Sequence, residues 1–384
     1  MTDYNAPVQD MLFTMKHLAG LDQVAALPGY EEASEDLVTA IVEEAARFTG
    51  QVLAPINAIG DQQGSKIEGD GVVTPAGFKE AYQQYVDGGW SSLAGDPQYG
   101  GQGLPELVAA PLGEMVAAAN MSFSLAPLLS AGALNALMSH ASDDLLAIYA
   151  EKMTSGEWSG TMNLTEPQAG SDLSLVRSKA IPNGDHYLIS GQKIYITWGD
   201  HDMAENIIHL VLARLPDAPE GTRGISLFVV PKFLVNSDGT LGERNDAYAV
   251  SLEHKLGIHA SATCTMSFGD NGGAVGHLVG QENSGLAHMF TMMNHARIGV
   301  GGQGLSISDR AYQDAVWYAK DRLQGGGKTI INHPDVRRML MVMRASTEAM
   351  RALLYSTYAH TDHAHKTPDA EAAKASSIRA DLMT

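Results

Sequence analysis

The sequence predicts an α+β protein with three domains: an N-terminal α-helical domain (1–158), a middle β-barrel domain (159–281) and a C-terminal helical bundle (282–384). Three observations predict this order. Apolar residues recur at helical spacing through the first third of the chain. From 159 the pattern changes to short β-branched runs separated by turn residues. From 284 the helical period returns and continues to the last residue.

The N-terminal third predicts a series of packed helices. Apolar spacing predicts a helix over 7–19 and a long amphipathic helix over 31–54. Pro55 is predicted to stop the long helix, because proline cannot donate a main-chain hydrogen bond. Another helix is predicted over 75–87. Residues 106–150 are dense in Ala, Leu and Met on all sides and predict two or three buried helices.

The middle third predicts strands joined by turns. Residues 186–198 predict a hairpin that turns at Ser190-Gly191-Gln192. Further strands are predicted over 207–215, 225–230, 262–268 and 275–279, with an exposed loop at 236–246. Short strands of this kind predict a compact β-barrel or sandwich of about a hundred residues.

Two patterns in the C-terminal third each allow two interpretations. Residues 299–304 match Gly-x-Gly-x-x-Gly, but the surroundings are helical, which favours close helix packing over dinucleotide binding. His360, Asp362, His363 and His365 include metal-ligand types, but exposed polar residues at a helix end explain them better. We therefore predict no metal site.

Composition excludes several classes of protein. With 25 Lys and Arg against 44 Asp and Glu, the formal net charge is −19. This excess argues against nucleic acid and anionic membranes as general partners. Cys264 is the single cysteine, which rules out an intrachain disulfide. The N-terminus shows no secretory signal. The most apolar stretch, 107–138, is interrupted by proline and polar residues, so we predict no membrane span.

The stretch 161–175 is predicted to hold a tight bend at the end of a strand. Pro167 interrupts the ladder, and Gly170 lets a ligand approach the main chain closely. Ser171 and Asp172 can bond neighbouring amides. Such a bend presents N–H groups and hydroxyls to a polar or anionic cofactor. From these residues alone, an ordinary capped turn is an equal alternative.

The sequence Leu-Thr-Glu-Pro-Gln-Ala-Gly-Ser-Asp at 164–172 resembles the signature of the acyl-CoA dehydrogenase family, flavoenzymes that desaturate acyl thioesters. Lys193-Ile194-Tyr195-Ile196-Thr197 resembles the family's Lys-x-Trp-Ile-Thr strand, with Tyr195 in place of Trp. The loop 96–105 resembles the Tyr-Gly-Gly-x-Gly loop near the acyl pocket. Asn163 and Leu175 depart from the small residues that the pattern prefers. The helix–β–helix order agrees over essentially the whole chain.

Further stretches resemble one branch of the family, which includes 3-methylmercaptopropionyl-CoA dehydrogenases and broad acyl-CoA dehydrogenases. These stretches are Tyr4–Val8, Lys255–Ser261 and Gly285–Phe290. The branch implies a CoA thioester substrate, with 3-methylmercaptopropionyl-CoA as one candidate, and a role in fatty-acid β-oxidation or dimethylsulfoniopropionate catabolism.

The resemblance implies FAD, because side chains cannot accept a hydride from the β-carbon. It assigns one set of residues to FAD and another to the substrate. The implied cofactor-binding residues are Met162, Leu164, Thr165, Gly170, Ser171, Tyr195, Thr197 and Arg322. The implied substrate-binding residues are Ser171, Asn294 and Arg297, with Arg297 at the start of the helix after the β domain. Without the resemblance, Arg297 and Arg322 would be interpreted as surface charges.

Two departures concern the cofactor contacts and the catalytic base. Where the family has Phe-Gly after the Arg that corresponds to Arg322, this chain has Leu323, and Pro334 lies near a family Gln that contacts flavin. No Tyr-Glu-Gly-Thr-like motif with the catalytic Glu precedes Thr384. The alternative position is Ala296, which cannot accept a proton. We therefore expect the base beyond Thr384, an incomplete C-terminal bundle, and a chain that is a fragment of an active enzyme.

The resemblance also implies partners. It indicates a cytoplasmic homo-oligomer, such as a homodimer, that passes electrons to an electron-transfer flavoprotein, or to oxygen if the protein is an acyl-CoA oxidase. The missing base leaves a non-catalytic flavin or acyl-CoA binder as an alternative. A DNA-repair-associated relative of the same fold is disfavoured by the acidic charge balance.

Overall fold

The computed structural model describes residues 4–384. In that range helices, strands and helices follow one another in the predicted order, so the α+β class is confirmed. The helices are α1 (Val8–His17), α2 (Leu21–Ala25), α3 (Glu35–Phe48), α4 (Ala54–Gln63), α5 (Phe78–Asp87), α6 (Glu106–Ala119), α7 (Met121–His140), α8 (Asp143–Ser155), α9 (Gly285–Asp321), α10 (Pro334–Lys366) and α11 (Ala370–Met383). The strands are β1 (Lys66–Glu68), β2 (Gly71–Val73), β3 (Trp158–Asn163), β4 (Lys179–Asn183), β5 (His186–Thr197), β6 (Asn206–Ala213), β7 (Ser226–Pro231), β8 (Phe233–Val235), β9 (Leu241–Arg244), β10 (Ala247–Leu252), β11 (Thr263–Phe268) and β12 (Ala274–Val279).

The chain divides into two compact units. The helical unit comprises the residues up to Asn57 together with 102–121 and 297–384. The sheet unit comprises 58–101 and 122–296. The three-domain boundaries predicted from the sequence stay a prediction.

The helix predicted over 31–54 begins later and does not end at Pro55. It begins at Glu35, where the Ser34 hydroxyl accepts a hydrogen bond from the main-chain N–H of Leu37 at 3.4 Å. The chain then continues through a π-helical turn, Thr49–Leu53, into α4. Because the wider turn precedes it, Pro55 lies in the first turn of α4, where a missing N–H is tolerated.

The middle of the chain forms an open eight-stranded sheet. Along the sheet the strands follow the order β10-β11-β5-β12-β7-β6-β3, and β4 also pairs with β5. The pairs are antiparallel except for β3 and β6, which run parallel. The short hairpins β1–β2 and β8–β9 lie apart from it. The second hairpin occupies part of 236–246, so the prediction of a plain loop there is partly wrong.

The hairpin predicted over 186–198 is wrong. Residues His186–Thr197 form the single long strand β5, which pairs first with β4 and β12 and then with β11. Gly191 has a φ of 142°, and a Cβ there would lie 2.4 Å from Ser178 Oγ. The glycine therefore permits a close approach between β5 and a neighbouring segment. The turn itself lies at Gly184 (φ 71°), between β4 and β5.

The core of the sheet unit lies between its helices and one face of the sheet. Leu129 and Ala133 of α7 pack there with Trp158 of β3 and with apolar residues of β6 and β7. A Cβ at Gly160 would lie only 2.6 Å from the Cβ of Ala133, so the glycine lets β3 approach α7 closely. This packing fixes the position of the C-terminal end of β3, where the predicted bend begins.

Helix α7 is long and apolar enough to cross a membrane when judged by length and composition alone, which differs from the prediction that no such run exists. However, 56% of the apolar stretch is buried inside the protein. A buried core helix passes the same test, and the packing of Leu129 and Ala133 gives α7 that role.

Candidate functional site

The predicted bend is present and is closed by its own main chain. After β3, Glu166 and Ala169 exchange two main-chain hydrogen bonds of 2.9 Å each. Asp172 then caps a short 3₁₀ turn, because its carboxylate accepts a hydrogen bond from the N–H of Ser174 at 2.9 Å. Gly170 and Ser171 lie at the exposed tip. The chain therefore turns sharply and presents small polar residues outward.

A buried carboxylate holds the bend from inside. Glu166 is 3% exposed, and its oxygens accept hydrogen bonds from Lys193 Nζ (2.8 Å), Ser178 Oγ (2.6 Å), and the N–H groups of Ser178 (3.0 Å) and Arg177 (2.7 Å). Burial by itself would raise the pKa of Glu166. The charge of Lys193 and these hydrogen bonds outweigh burial and lower the pKa to about 2. Glu166 is therefore an anion at neutral pH.

Lys193 joins the bend to β5. Its side chain is fully buried, and Nζ donates to the carbonyl oxygen of Leu164 at 3.0 Å as well as to Glu166. Burial lowers the pKa of Lys193 to about 8, although Glu166 acts in the opposite direction. The N–H of Ile194 also donates to the carbonyl of Thr165 at 2.9 Å. The end of β3 and the second half of β5 are thus tied together at three points.

Two residues in the left-handed region lie at the end of β5, one within the strand and one directly after it. Tyr195 has a φ of 60° and Trp198 a φ of 51°, on either side of Thr197. The pairing with β11 is irregular here, since Met266 opposes Lys193 whereas Cys264 opposes Ile196. This bulge turns the ring of Tyr195 outward, where it is 60% exposed. Left-handed residues of this bulk are strained, and such strain is concentrated at functional sites.

Trp198 anchors the end of this strained segment. Its side chain is 1% exposed, and Nε1 donates to the carbonyl of Ser122 at 3.1 Å. Its main-chain N–H donates to the carbonyl of Ala262 at 2.6 Å. Thr197 is therefore held between an exposed aromatic ring and an anchored one.

The predicted FAD-binding residues of the sheet unit offer polar groups to a ligand. Thr165 and Thr197 are partly buried, and no residue within 4–384 forms a hydrogen bond with either hydroxyl or with that of Ser171. A Cβ at Gly170 would meet only the methyl group of Thr165, at 3.7 Å, so the tip of the bend is open to a ligand. Together with the exposed face of Tyr195, these groups form a polar, open surface.

The structure brings part of the predicted set together. Thr165 lies beside Gly170 and is bonded to β5, and Met162 and Leu164 pack against the core of the sheet unit. Asn294 and Arg297 are exposed on α9, which begins at Gly285. Arg297 is thus roughly three turns into the helix, not at its start.

Two of the predicted residues belong to the other unit. Arg297 and Arg322 are in the helical unit, and Arg322 is exposed directly after the end of α9. Their part in the site stays a prediction. Residues 299–304 lie within α9, so the Gly-x-Gly-x-x-Gly match is helical, as expected.

Sequence reasoning assigned no role to Glu166 and Lys193, although both lie inside the two motifs. The signal in the sequence was a charged side chain beside residues predicted to lie in a strand. Glu166 follows Leu164 and Thr165, and Lys193 precedes Ile194. It also missed a buried polar row on β3, in which Ser159 bonds His201 (2.9 Å) and Thr161 bonds His209 (2.7 Å). Burial lowers the pKa of both imidazoles to about 3, so they are neutral hydrogen-bonding groups.

The histidine-rich end of α10 holds no metal cluster. Within residues 4–384, no group of three or more His, Cys, Asp or Glu side chains is placed to bind a metal ion. Asp362 is fully buried, which corrects the expectation of an exposed residue. Its carboxylate accepts hydrogen bonds from the N–H groups of Glu106 (2.8 Å) and Leu107 (2.9 Å) at the start of α6. Asp362 is therefore a structural cap.

Comparison with known families decides the identity of the fold. Three domain descriptions match the chain: acyl-CoA dehydrogenase N-terminal domain over 36–157, middle domain over 161–271 and C-terminal domain over 283–380. The chain belongs to the acyl-CoA dehydrogenase family. This confirms the family resemblance and the order of a helical, a β and a second helical segment. FAD is the cofactor of this family.

Two curated relatives are similar over nearly the whole chain. The 3-methylmercaptopropionyl-CoA dehydrogenase of Ruegeria pomeroyi is 52% identical over 98% of this chain and 65% of the relative. A butyryl-CoA dehydrogenase of Syntrophomonas wolfei is 39% identical over 96% of this chain and 63% of the relative. The chain thus spans less than two thirds of the length of either relative.

Among solved structures, an acyl-CoA dehydrogenase from Bacillus anthracis complexed with FAD is similar in fold. The TM-score is 0.74 at 21% identity, over 94% of this chain and 59% of that chain. At this identity the likeness supports the fold alone.

Proposed function

We propose that the chain forms the FAD- and acyl-CoA-binding part of an acyl-CoA dehydrogenase. The observation that carries this proposal is the surface built by the bend and β5, where the hydroxyls of Thr165 and Thr197 lack partners within 4–384 and the ring of Tyr195 is exposed. The names of the relatives support a CoA thioester as substrate, and the similarity to the Ruegeria enzyme favours 3-methylmercaptopropionyl-CoA.

The chemistry determines what the residues must do. A C–H group beside a thioester carbonyl is a weak acid, so a base must take the α-proton while the carbonyl is polarised. When bound, FAD supplies the acceptor for the hydride of the β-carbon. Thr165 and Thr197 donate hydrogen bonds to the polar edge of the ring, and Tyr195 packs beside it. Gly170 and Ser171 leave room at the tip of the bend for a pyrophosphate or the CoA chain.

The remaining residues of the proposal bind charged groups. Asn294 and Arg297 are each proposed to bind the polar part of CoA. Arg322 binds the FAD pyrophosphate of a neighbouring subunit, so a homo-oligomer is part of the proposal. Electron-transfer flavoprotein is the proposed acceptor. Ala296, the alternative position of the base, offers no proton acceptor.

FAD titration tests the cofactor site. The purified chain should quench flavin fluorescence on binding FAD. Replacing both Thr165→Val and Thr197→Val should raise the Kd at least about tenfold, because each lost hydrogen bond is worth about 1 kcal/mol. Thr222→Val, at an exposed position of the same unit, is the control and should not change the Kd. A wild-type chain that binds no FAD contradicts the proposal.

A second measurement separates the enzyme from a non-catalytic binder. Under anaerobic conditions, a dehydrogenase that holds FAD loses its visible absorbance when butyryl-CoA or 3-methylmercaptopropionyl-CoA is added. Retained absorbance with both thioesters, despite FAD binding, is the result expected of a chain without a catalytic base, so it assigns these 384 residues a binding role only. Rapid return of the absorbance in air favours an oxidase.

A further inference from the structure

The strongest unexplained feature of the candidate site is a buried ion pair. Glu166 and Lys193 are 27 residues apart in sequence, 2.8 Å apart at Oε1 and Nζ, and 3% and 0% exposed at their side chains. Taking two charges out of water is costly, and a buried pair is often no more stabilising than apolar residues of the same size. Packing alone therefore does not explain why charges occupy these positions.

The hydrogen bonds of the pair lead to the two segments that would face FAD. Lys193 Nζ donates to the carbonyl of Leu164, one residue before Thr165. Glu166 follows Thr165 directly, and Lys193 lies on β5 four residues before Thr197. A structural brace could act anywhere along these strands. This one places a cation and an anion beside Thr165, one of the predicted ring-contacting residues.

The charges of the pair are balanced, and this balance has a consequence for a redox cofactor. Reduction adds two electrons and one proton to FAD, so the reduced form carries one more negative charge than the oxidised form. A nearby cation favours the reduced form and a nearby anion the oxidised form. A paired cation and anion largely cancel, and deleting either one leaves the charge of the other uncompensated as long as that group stays ionised.

We propose that Glu166 and Lys193 are a positioning pair that holds the bend against β5 and sets the redox potential of bound FAD through their balanced charges. The inference rests on the proposed function, because it requires FAD beside Thr165 and Thr197. Neither residue touches the reacting atoms. Both act through the main chain of Leu164 and through their electrostatic field.

The test is the FAD redox potential of three variants, each measured by equilibration with a reference dye at pH 6. Lys193→Met leaves a net negative charge and should lower the potential. Glu166→Gln leaves a net positive charge and should raise it. The double variant removes both charges and should return close to wild type. A tenfold change in the relative affinity for reduced and oxidised FAD corresponds to ~30 mV for a two-electron couple, and we expect single variants to change by about this much.

A matched control distinguishes a local field from general loss of stability. Lys232 forms another ion pair in the sheet unit, with the buried Asp200 at 2.6 Å, and donates to the carbonyl of His201. It bonds neither Leu164 nor Glu166. Lys232→Met should therefore destabilise the chain and yet shift the potential less than Lys193→Met does.

The possible results have separate meanings. Shifts of opposite sign for the two single variants, cancelled in the double variant, support the proposal. Unchanged potentials in variants that still bind FAD overturn it and leave the pair as a structural brace, as does an equal shift from Lys232→Met. If Lys193→Met does not fold, the redox potentials of Glu166→Gln and of the double variant are compared instead. A raised potential in Glu166→Gln that returns to the wild-type value in the double variant supports the proposal. A wild-type chain without FAD binding refutes the proposed function itself.

Discussion

The two units each bury a carboxylate with a cation, but they hold the anion by different means. In the sheet unit, Glu166 accepts hydrogen bonds from Lys193 and from main-chain N–H groups of the segment 177–178. In the helical unit, Glu114 of α6 is bonded within residues 4–384 by side chains of α10: Arg351 at 2.7 Å and Tyr355 at 2.8 Å. The pKa of Glu166 is lowered to about 2, whereas that of Glu114 is raised.

The difference follows from how the donors are shared. Burial raises the pKa of both carboxyls. At Glu166, the charge of Lys193 and the hydrogen bonds from Lys193, the Ser178 hydroxyl and the Arg177 N–H outweigh burial. At Glu114 the effect of burial on the pKa dominates. Arg351 also donates hydrogen bonds to Asp309 (3.4 Å) and Glu348 (2.9 Å), and the negative charge of Asp309 repels that of Glu114. Lys193 and the added hydrogen bonds at Glu166 thus hold an anion more firmly than the shared Arg351 does at Glu114, which suits the ligand-binding bend of the proposed function.

Deleting the cation should have the largest effect in the helical unit. Arg351→Met leaves Glu114 and Asp309 buried with no cation, and we expect a loss of about 3–5 kcal/mol in the free energy of unfolding. Lys193→Met should cost less, since Glu166 keeps its main-chain donors. Urea unfolding followed by hydrogen exchange in α6, α10 and β5 measures both losses separately. Arg351→Lys keeps the charge and is the control, and a larger loss for Lys193→Met would contradict the comparison.

Acid should act on the two carboxylates in opposite directions. The folded pKa of Glu166, about 2, lies below its ordinary value of 4.5. Its stabilisation is therefore present above 4.5 and is lost as the pH falls towards 2, by up to about 3 kcal/mol. Glu114 has a raised pKa, so its contribution is fullest at low pH and is lost as the pH rises through its folded pKa.

The measurement compares unfolding free energies of the wild type, Glu166→Gln and Glu114→Gln between pH 2.5 and 7. The advantage of the wild type over Glu166→Gln should shrink as the pH falls. Its advantage over Glu114→Gln should grow over the same range. If the stability of the two variants relative to the wild type changed with pH in the same way, the pKa values of Glu166 and Glu114 would not be shifted in opposite directions, and the comparison would be wrong.

Local sequence patterns predicted some elements of the fold correctly and others not. Local patterns sufficed for α1 and β6. The helical spacing of apolar residues in α1 reflects one buried face, and the continuous apolar run of β6 reflects a strand buried on both faces. They failed at Gly191, which looks like a turn but is required by the close approach of Ser178. They failed again at Pro55, because a π-helical turn cannot be inferred from residue types.

At the candidate site, the motifs located the bend and β5 but not the link between them. Glu166 and Lys193 pair across 27 residues, and only the register of β5 against the bend brings Lys193 Nζ within bonding distance of Leu164. The same holds for Glu114 and Arg351, which are 237 residues apart. Such buried charges are visible in the sequence, but their partners depend on the tertiary fold.

The smallest expected effect comes from removing one neutral donor at each site. Ser178→Ala removes a 2.6 Å hydrogen bond to Glu166, and Tyr355→Phe removes a 2.8 Å hydrogen bond to Glu114. Each bond to a charged group is worth about 1.5–3 kcal/mol when its loss leaves the acceptor unsatisfied. Ser178→Ala should fall below that range, because the N–H of Ser178 remains bonded to the same oxygen.

Tyr355→Phe should fall within the range, since Glu114 Oε2 then keeps only a 3.2 Å bond from Arg351 Nε. The free energy of unfolding of both variants decides the point. If Ser178→Ala costs as much as Tyr355→Phe, the main-chain donors do not compensate for a lost side-chain donor. The shape of the bend would then depend on its side-chain donors, Ser178 and Lys193. Lys193→Met would in that case weaken FAD binding as well as shift the potential of the FAD that is bound.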